Sequence, residues 1–271
     1  MCIENPSSQA PALSTGPARK VMFTDLDGTL IDHDTYLPGP AEASLGDLTD
    51  RGVQVFFCSA KTLAEQEALA ERLGRRVGYI TENGALAVLP GGVGARRFGA
   101  AYDHVRRSIA AAAAESGVEA TGYGDMTPAQ IAEATGLDIG QAALAGERCC
   151  TETLTDLSDA GAERMGEALA RRGLRLQRGA RFWTVQGDHD KGTAVDWVVA
   201  RLTSDSGPPI TYAVGDGPND AAMLRGVEHP MLVQGRDGEW ERLGVAGLRL
   251  MDGIGPFGWV KAAEAVLGDD E

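Results

Sequence analysis

The groups in this chain whose types and spacing suit chemistry are four aspartates, one serine and one lysine, spread along the sequence. The segment TDLDGT at 24–29 places Asp25 and Asp27 directly after a short apolar run. Residues two apart in an extended segment face the same side, so the two carboxylates are expected as neighbours. Neighbouring carboxylates repel unless they share a proton or a cation. Gly28 permits the tight turn that brings both into a cleft. Ser59 closes a second apolar run, Lys191 opens a helical stretch, and GDGPND at 215–220 sets Asp216 and Asp220 four residues apart. Four aspartates against one lysine leave a net charge of about -3, which would repel an anionic substrate. Hard carboxylate oxygens suit Mg²⁺, which keeps several waters and shares its ligands with phosphate. Such a cation reverses the local field and lets Asp25 approach phosphorus. The chemistry indicated is phosphoryl transfer to a carboxylate nucleophile.

Alternating strands and helices are needed to bring these residues together. Strand-like runs at 21–24, 53–59 and 78–81 alternate with helical stretches at 41–52 and 62–74. In the second of these helices, Thr62 followed three residues later by Glu65 reads as a capping box. The pattern is βαβαβ, which implies a parallel sheet whose ligands bind at the strand ends. It resumes after residue 190 with a helix at 191–202, a strand at 210–216, a short helix at 219–225, further strands and a closing helix at 257–267. The middle differs. A hairpin at 86–99 with PGG as its turn, an Ala-rich helix at 102–116, short helices and several strands indicate a separate inserted α+β unit over 86–187.

Composition narrows the partners. The 271 residues hold 25 Lys+Arg against 39 Asp+Glu, a formal charge of -14. So acidic a chain is repelled by nucleic-acid backbones and anionic lipid, so neither is expected as a partner. No run approaches the roughly 18 apolar residues of a membrane helix. Cys2, Cys58, Cys149 and Cys150 show no zinc spacing and read as reduced thiols of a cytoplasmic protein, monomer or homodimer. Residues 1–19, rich in Pro, Ser and Ala, read as a flexible tail without a secretory signal.

TDLDGT, Ser59, Lys191 and GDGPND match, in order, the four motifs of the haloacid dehalogenase superfamily of phosphohydrolases. The insertion falls where that superfamily carries its type C2 caps. SAKT at 59–62, TENG at 81–84, GYGDMT followed by PAQIAEATGL, then GERCC, RFWTVQGDHDKG and GPFGW resemble the mannosyl-3-phosphoglycerate phosphatases over nearly the whole chain after the tail. The resemblance implies an α/β fold. Its Rossmann-like parallel-sheet core would comprise 20–85 and 188–271, and an α+β cap of type C2B would be inserted at 86–187.

It further implies that Asp25 attacks phosphorus and forms an aspartyl phosphate. Asp27 then serves as acid toward the leaving oxygen and as base toward water. Ser59 and Lys191 hold the phosphoryl oxygens. Asp25, the backbone carbonyl of Asp27, and Asp216 would hold Mg²⁺, with Asp220 and neighbouring Asn219 orienting a water or Lys191. In the cap, Arg148 and Arg181 either grip a glycerate carboxylate or are surface residues. Asp125 and Thr127 of the GYGDMT loop contact the sugar, or Asp125 caps the helix that follows. Glu82 and Asn83 face the cap as sugar ligands or form an ordinary Asn-Gly turn. Lys61 is a residue of the active-site loop or a solvated lysine, and the four histidines are read as non-catalytic.

The implied substrate is a small phosphorylated glycoside, mannosyl-3-phosphoglycerate, released as mannosylglycerate. The alternatives are glucosyl-3-phosphoglycerate, another sugar phosphate, or a phosphomannomutase-like isomerisation. A non-catalytic sugar-phosphate binder is disfavoured by the intact Asp25 and Asp27.

Overall fold

The computed structural model describes residues 19–179, 181–205 and 207–269. The expected tail lies outside these residues except for Arg19, whose carbonyl accepts from the Ile210 N–H at 2.9 Å. The first strand, β1 (Lys20–Thr24), is buried on both faces. It is followed by α1 (Ala41–Asp50), β2 (Gln54–Cys58), α2 (Leu63–Arg72) and β3 (Gly78–Thr81), then β4 (Leu86–Val88) and β5 (Ala95–Arg97). The inserted segment holds α3 (Tyr102–Ser116), α4 (Pro128–Thr135), α5 (Ile139–Ala145), β6 (Glu152–Leu154), α6 (Asp159–Ala170), β7 (Arg175–Arg178) and β8 (Trp183–Gln186). The chain returns through α7 (Lys191–Leu202), β9 (Ile210–Gly215), α8 (Ala221–Arg225), β10 (His229–Gln234), β11 (Arg249–Ile254) and α9 (Pro256–Gly268).

The main sheet has the order β11-β10-β9-β1-β2-β3-β4-β5. It is parallel from β11 to β3, and β4 and β5 are added antiparallel. Side chains of a strand alternate between faces, and the central strands use both. Met22, Val55, Phe57, Tyr212 and Val214 pack with Leu45, Leu48 and Trp259 on one side. Val21, Phe23, Phe56, Cys58 and Ala213 pack with Val195, Val198 and Leu224 on the other. Continuous apolar runs are what a sheet covered on both faces requires. Burial also pushes the Cys58 thiol pKa up, which keeps it protonated and inert.

The inserted segment forms its own antiparallel sheet, β6-β8-β7, and its own core of Val105, Ile109, Leu154, Met165, Leu169 and Val185. One expectation changes. The sequence places the hairpin at 86–99 in the insertion, but β4 pairs with β3 through Ile80–Ala87, and β5 pairs with β4. The hairpin therefore completes the main sheet. Its short strands carry the turn signals of an independent hairpin, and only the edge of β3 decides where it docks. The crossings between the two sheets fall at 98–101 and 187–190.

Candidate active site

Asp25 continues from β1, its N–H donating to Val214 O of β9 at 2.9 Å. Its side chain turns inward to the one buried lysine of the site. Lys191 Nζ donates to Asp25 Oδ1 at 2.6 Å and to Asp220 Oδ1 at 2.7 Å. The second oxygen of Asp220 accepts the Asp216 and Gly217 N–H groups, each at 3.1 Å. Asp25, Asp216 and Asp220 each offer a carboxylate oxygen within 4.8 Å of the other two. Burial pushes the Asp25 carboxyl well above its ordinary pKa. Lys191 opposes that rise, while Asp220 and Asp216 add to it. Burial works against the charge on Lys191 too, but Asp220 and Asp25 outweigh it and raise its pKa, so the ammonium persists.

The Asp27 carboxylate is not one of these three. The strand itself ends at Thr24. The Asp27 carboxylate instead lies 3.1 Å from Lys61 Nζ, which is also 3.8 Å from Glu65. Burial disfavours the Lys61 charge, but Asp27 and then Glu65 override it and hold the pKa above the ordinary lysine value. Of the two readings left open for Lys61, the solvated one fails, since its side chain is only 17% exposed. Its position two residues past Ser59 and four before Glu65 was the available signal. Ser59 is buried at the end of β2, and its Oγ accepts the Lys61 N–H at 3.3 Å.

Gly28 is required where it stands. Its φ is +82°, and a Cβ there would lie 2.1 Å from His33 Nε2 and 2.8 Å from an Asp216 oxygen. His33, read as non-catalytic, crosses this gap to come within 3.5 Å of Asp216, and its pKa is raised by that contact against the effect of burial. Thr29 Oγ donates to the other Asp216 oxygen at 2.9 Å. Thr29 closes the TDLDGT segment, whereas no spacing or pattern marks His33.

The other residues singled out in the sequence separate into different places. Arg148 and Arg181 line one cleft of about 310 Å³ together with Asp27, His33, Tyr36 and Lys61. Arg181 also donates to the Ala134 and Thr135 carbonyls at the end of α4. Asp125 neither reaches this cleft nor caps α4. It is held by an ion pair with Arg106, which also binds buried Glu152. Thr127 is the N-cap of α4, its hydroxyl accepting from Gln130 N at 3.4 Å. Glu82 is not an open sugar ligand, because its carboxylate is fully engaged by the backbone of 149–151. Asn83 and Asn219 line a second polar cavity of about 330 Å³ beside Lys191, where Asn83 Nδ2 donates to Gln186 at 3.4 Å. Asp125 and Glu82 are thus engaged by partners far along the chain, Arg106 of α3 and the backbone of 149–151, which no local pattern marks.

A buried carboxylate–lysine cluster thus lies at the carboxyl ends of β1 and β9. Residues 22–93 match the family model of the haloacid dehalogenase-like hydrolases. A glucosyl-3-phosphoglycerate/mannosyl-3-phosphoglycerate phosphatase of Methanococcoides burtonii is 33% identical over 92% of this chain and 98% of its own. The chain belongs to the haloacid dehalogenase-like hydrolases. A protein of the same name from Persephonella marina is 30% identical over 93% of this chain and 98% of its own. Among solved structures, a haloalkanoate-superfamily phosphatase from Bacteroides thetaiotaomicron superposes with a TM-score of 0.68 at 20% identity, covering 95% of this chain and 99% of its own. A Thermoplasma acidophilum protein gives a TM-score of 0.69 at 14% identity, covering 92% and 99%. These two likenesses show a shared fold over nearly the whole chain.

Proposed function

We propose that this hydrolase is a cytoplasmic Mg²⁺-dependent phosphomonoesterase that removes phosphate from sugar-3-phosphoglycerates, with the mannosyl and glucosyl esters as its substrates. The observation that carries the reading is the cleft. Asp27 and Lys61 from the core segments and Arg148 and Arg181 from the inserted segment line it together, a set suited to a phosphate ester bearing a second anionic group. The names of the two relatives, which span nearly their full lengths, support the same substrates.

In this reading Asp25 attacks phosphorus in line with the leaving oxygen, and the P–O bond to the glycerate breaks. Asp27 gives its proton to that oxygen. A water then attacks the phosphorus of the aspartyl phosphate, Asp27 takes the water's proton, and phosphate leaves with Asp25 restored. Ser59 and Lys191 hold the phosphoryl oxygens as charge develops on them. Asp25 and Asp216, with the carbonyl of Asp27, would hold Mg²⁺, and Asp220 fixes Lys191. The donor set fits that ion, since it offers hard oxygens only, and the Asp25 and Asp216 carboxylates lie within 4.8 Å of each other and of Asp220, against a single lysine. When bound, Mg²⁺ supplies positive charge that draws the phosphoryl group to a carboxylate-rich site.

The test is phosphate release from mannosyl- and glucosyl-3-phosphoglycerate by the purified protein, without a bisphosphate activator, with and without EDTA. Release from either ester that EDTA abolishes and Mg²⁺ restores is expected. No release from either, or phosphate retained on an isomerised sugar, would overturn the reading.

A further inference from the structure

Glu82 is 1% exposed and sits at φ +49°, in a left-handed turn that favours glycine. Its carboxylate accepts four hydrogen bonds from one cap segment. Oε1 accepts from Cys149 N at 2.8 Å, and Oε2 accepts from Cys150 N at 3.0 Å, Thr151 N at 2.7 Å and Thr151 Oγ1 at 2.7 Å. Its own N–H donates to Lys61 O at 3.0 Å, which anchors it to the loop that follows Ser59. The hydroxyl of Thr151 has one proton, which goes to Glu82. That leaves its lone pairs facing Arg148, whose Nη1 donates to the same oxygen at 2.8 Å.

Arg148 in turn stands in the catalytic cleft, its guanidinium 5.7 Å from the centre of the Tyr123 ring. Its Nε–H is buried without a partner among the described residues. Such a donor is costly to leave unsatisfied, and a ligand oxygen in the cleft would satisfy it. The order of contacts is therefore core carboxylate, cap hydroxyl, cap guanidinium, cleft. We propose that Glu82, acting through the Thr151 hydroxyl, is a positioning residue that sets the Arg148 guanidinium for a carboxylate group on the substrate. This rests on the carboxylate-bearing substrate proposed above. A leucine at 82 would present no acceptor at all. The hydroxyl proton would then have no fixed target, and the Thr151 oxygen no fixed orientation toward Arg148.

A carboxylate that merely stapled cap to core would affect all ligands alike. The experiment therefore compares the full-length protein's dissociation constants, with Mg²⁺ present, for 3-phosphoglycerate and for glycerol 3-phosphate, which has a hydroxymethyl group in place of the carboxylate. Wild type should prefer 3-phosphoglycerate, and Arg148→Met should lose about tenfold of that preference, as expected for a charge-assisted contact. Thr151→Val and Glu82→Leu should lose a similar factor, whereas Thr151→Ser, which keeps the hydroxyl, should retain it. Where Glu82→Leu fails to fold, the Thr151 pair decides. A preference retained in Thr151→Val but lost in Arg148→Met, or affinities that fall equally for both ligands, would overturn the relay while leaving the substrate reading standing. A wild type with no preference, or one that Arg148→Met leaves unchanged, would overturn the carboxylate grip and the relay with it.

Discussion

Asp25 shows how a single residue trades stability for reactivity. In an unfolded chain its carboxyl has a pKa near 3.8, and burial raises it in the folded protein against the pull of Lys191. The folded state thus holds the proton at pH values where the unfolded chain has lost it. The sign follows. Metal-free protein is favoured below about pH 3.8 by this group, and that contribution is lost as pH rises through the folded-state pKa. Replacing Asp25 with Asn leaves Lys191 paired with Asp220 and removes one charge from a carboxylate-rich pocket. In EDTA at pH 7 the variant should melt ~2–4 °C above wild type, the shift of about 1 kcal/mol in a chain of this size. Calorimetry at pH 4 should find the gap smaller. The same variant should lose on the order of 10⁴-fold or more in turnover, as a removed nucleophile does. The identities of these residues were legible in the sequence, because an acidic pair after an apolar strand has few other uses. The partner of Asp27 was not, since it depends on where the chain turns after Thr24.

Elements carry the second group of effects. The box predicted at the start of α2 is formed, with Thr62 Oγ1 accepting from Glu65 N at 3.1 Å and Glu65 Oε2 accepting from Thr62 N at 2.8 Å. The same hydroxyl donates to Leu144 O of α5 at 2.9 Å, so one residue both starts a core helix and holds a cap helix. Thr62→Ala should cost ~1–2 kcal/mol in urea denaturation, the range for losing an N-cap. Gly84 is a sharper case. At φ +95° its missing Cβ would lie 2.0 Å from the Asp190 carbonyl oxygen, just before α7. Gly84→Ala should therefore cost on the order of 3 kcal/mol or more and displace Lys191, seen as a fall in both Tm and turnover. Helix and strand positions were legible because their periods are local. The docking of β4 and β5 onto β3 was not, because a hairpin's own residues do not say which sheet edge receives it.

At the scale of the molecule, a formal charge of -14 gives a chain that repels itself, and salt should relieve that repulsion. Tm should rise between 0.05 and 0.5 M NaCl in EDTA, and a flat or falling Tm would show that paired surface charges dominate instead. The place where core and cap meet has a mechanical consequence. A Cβ on Gly99, in the outgoing crossing, would lie 2.7 Å from Cys150 Cβ and 2.8 Å from Ala85 Cβ, and one on Gly187, in the returning crossing, 3.3 Å from Ala100 N. Both covalent crossings and the segment pinned by Glu82 therefore converge on one corner of the molecule. Three tethers at one corner are what a pivot requires. Rotation of the cap about it would leave the Glu82 bonds intact and lift α5 from α2, so the expected gate is the Thr62–Leu144 contact. Hydrogen exchange should reflect this, with the Cys150 and Thr151 amides as slow as those of the core strands while Thr62→Ala speeds exchange in α5 and in the first turn of α2.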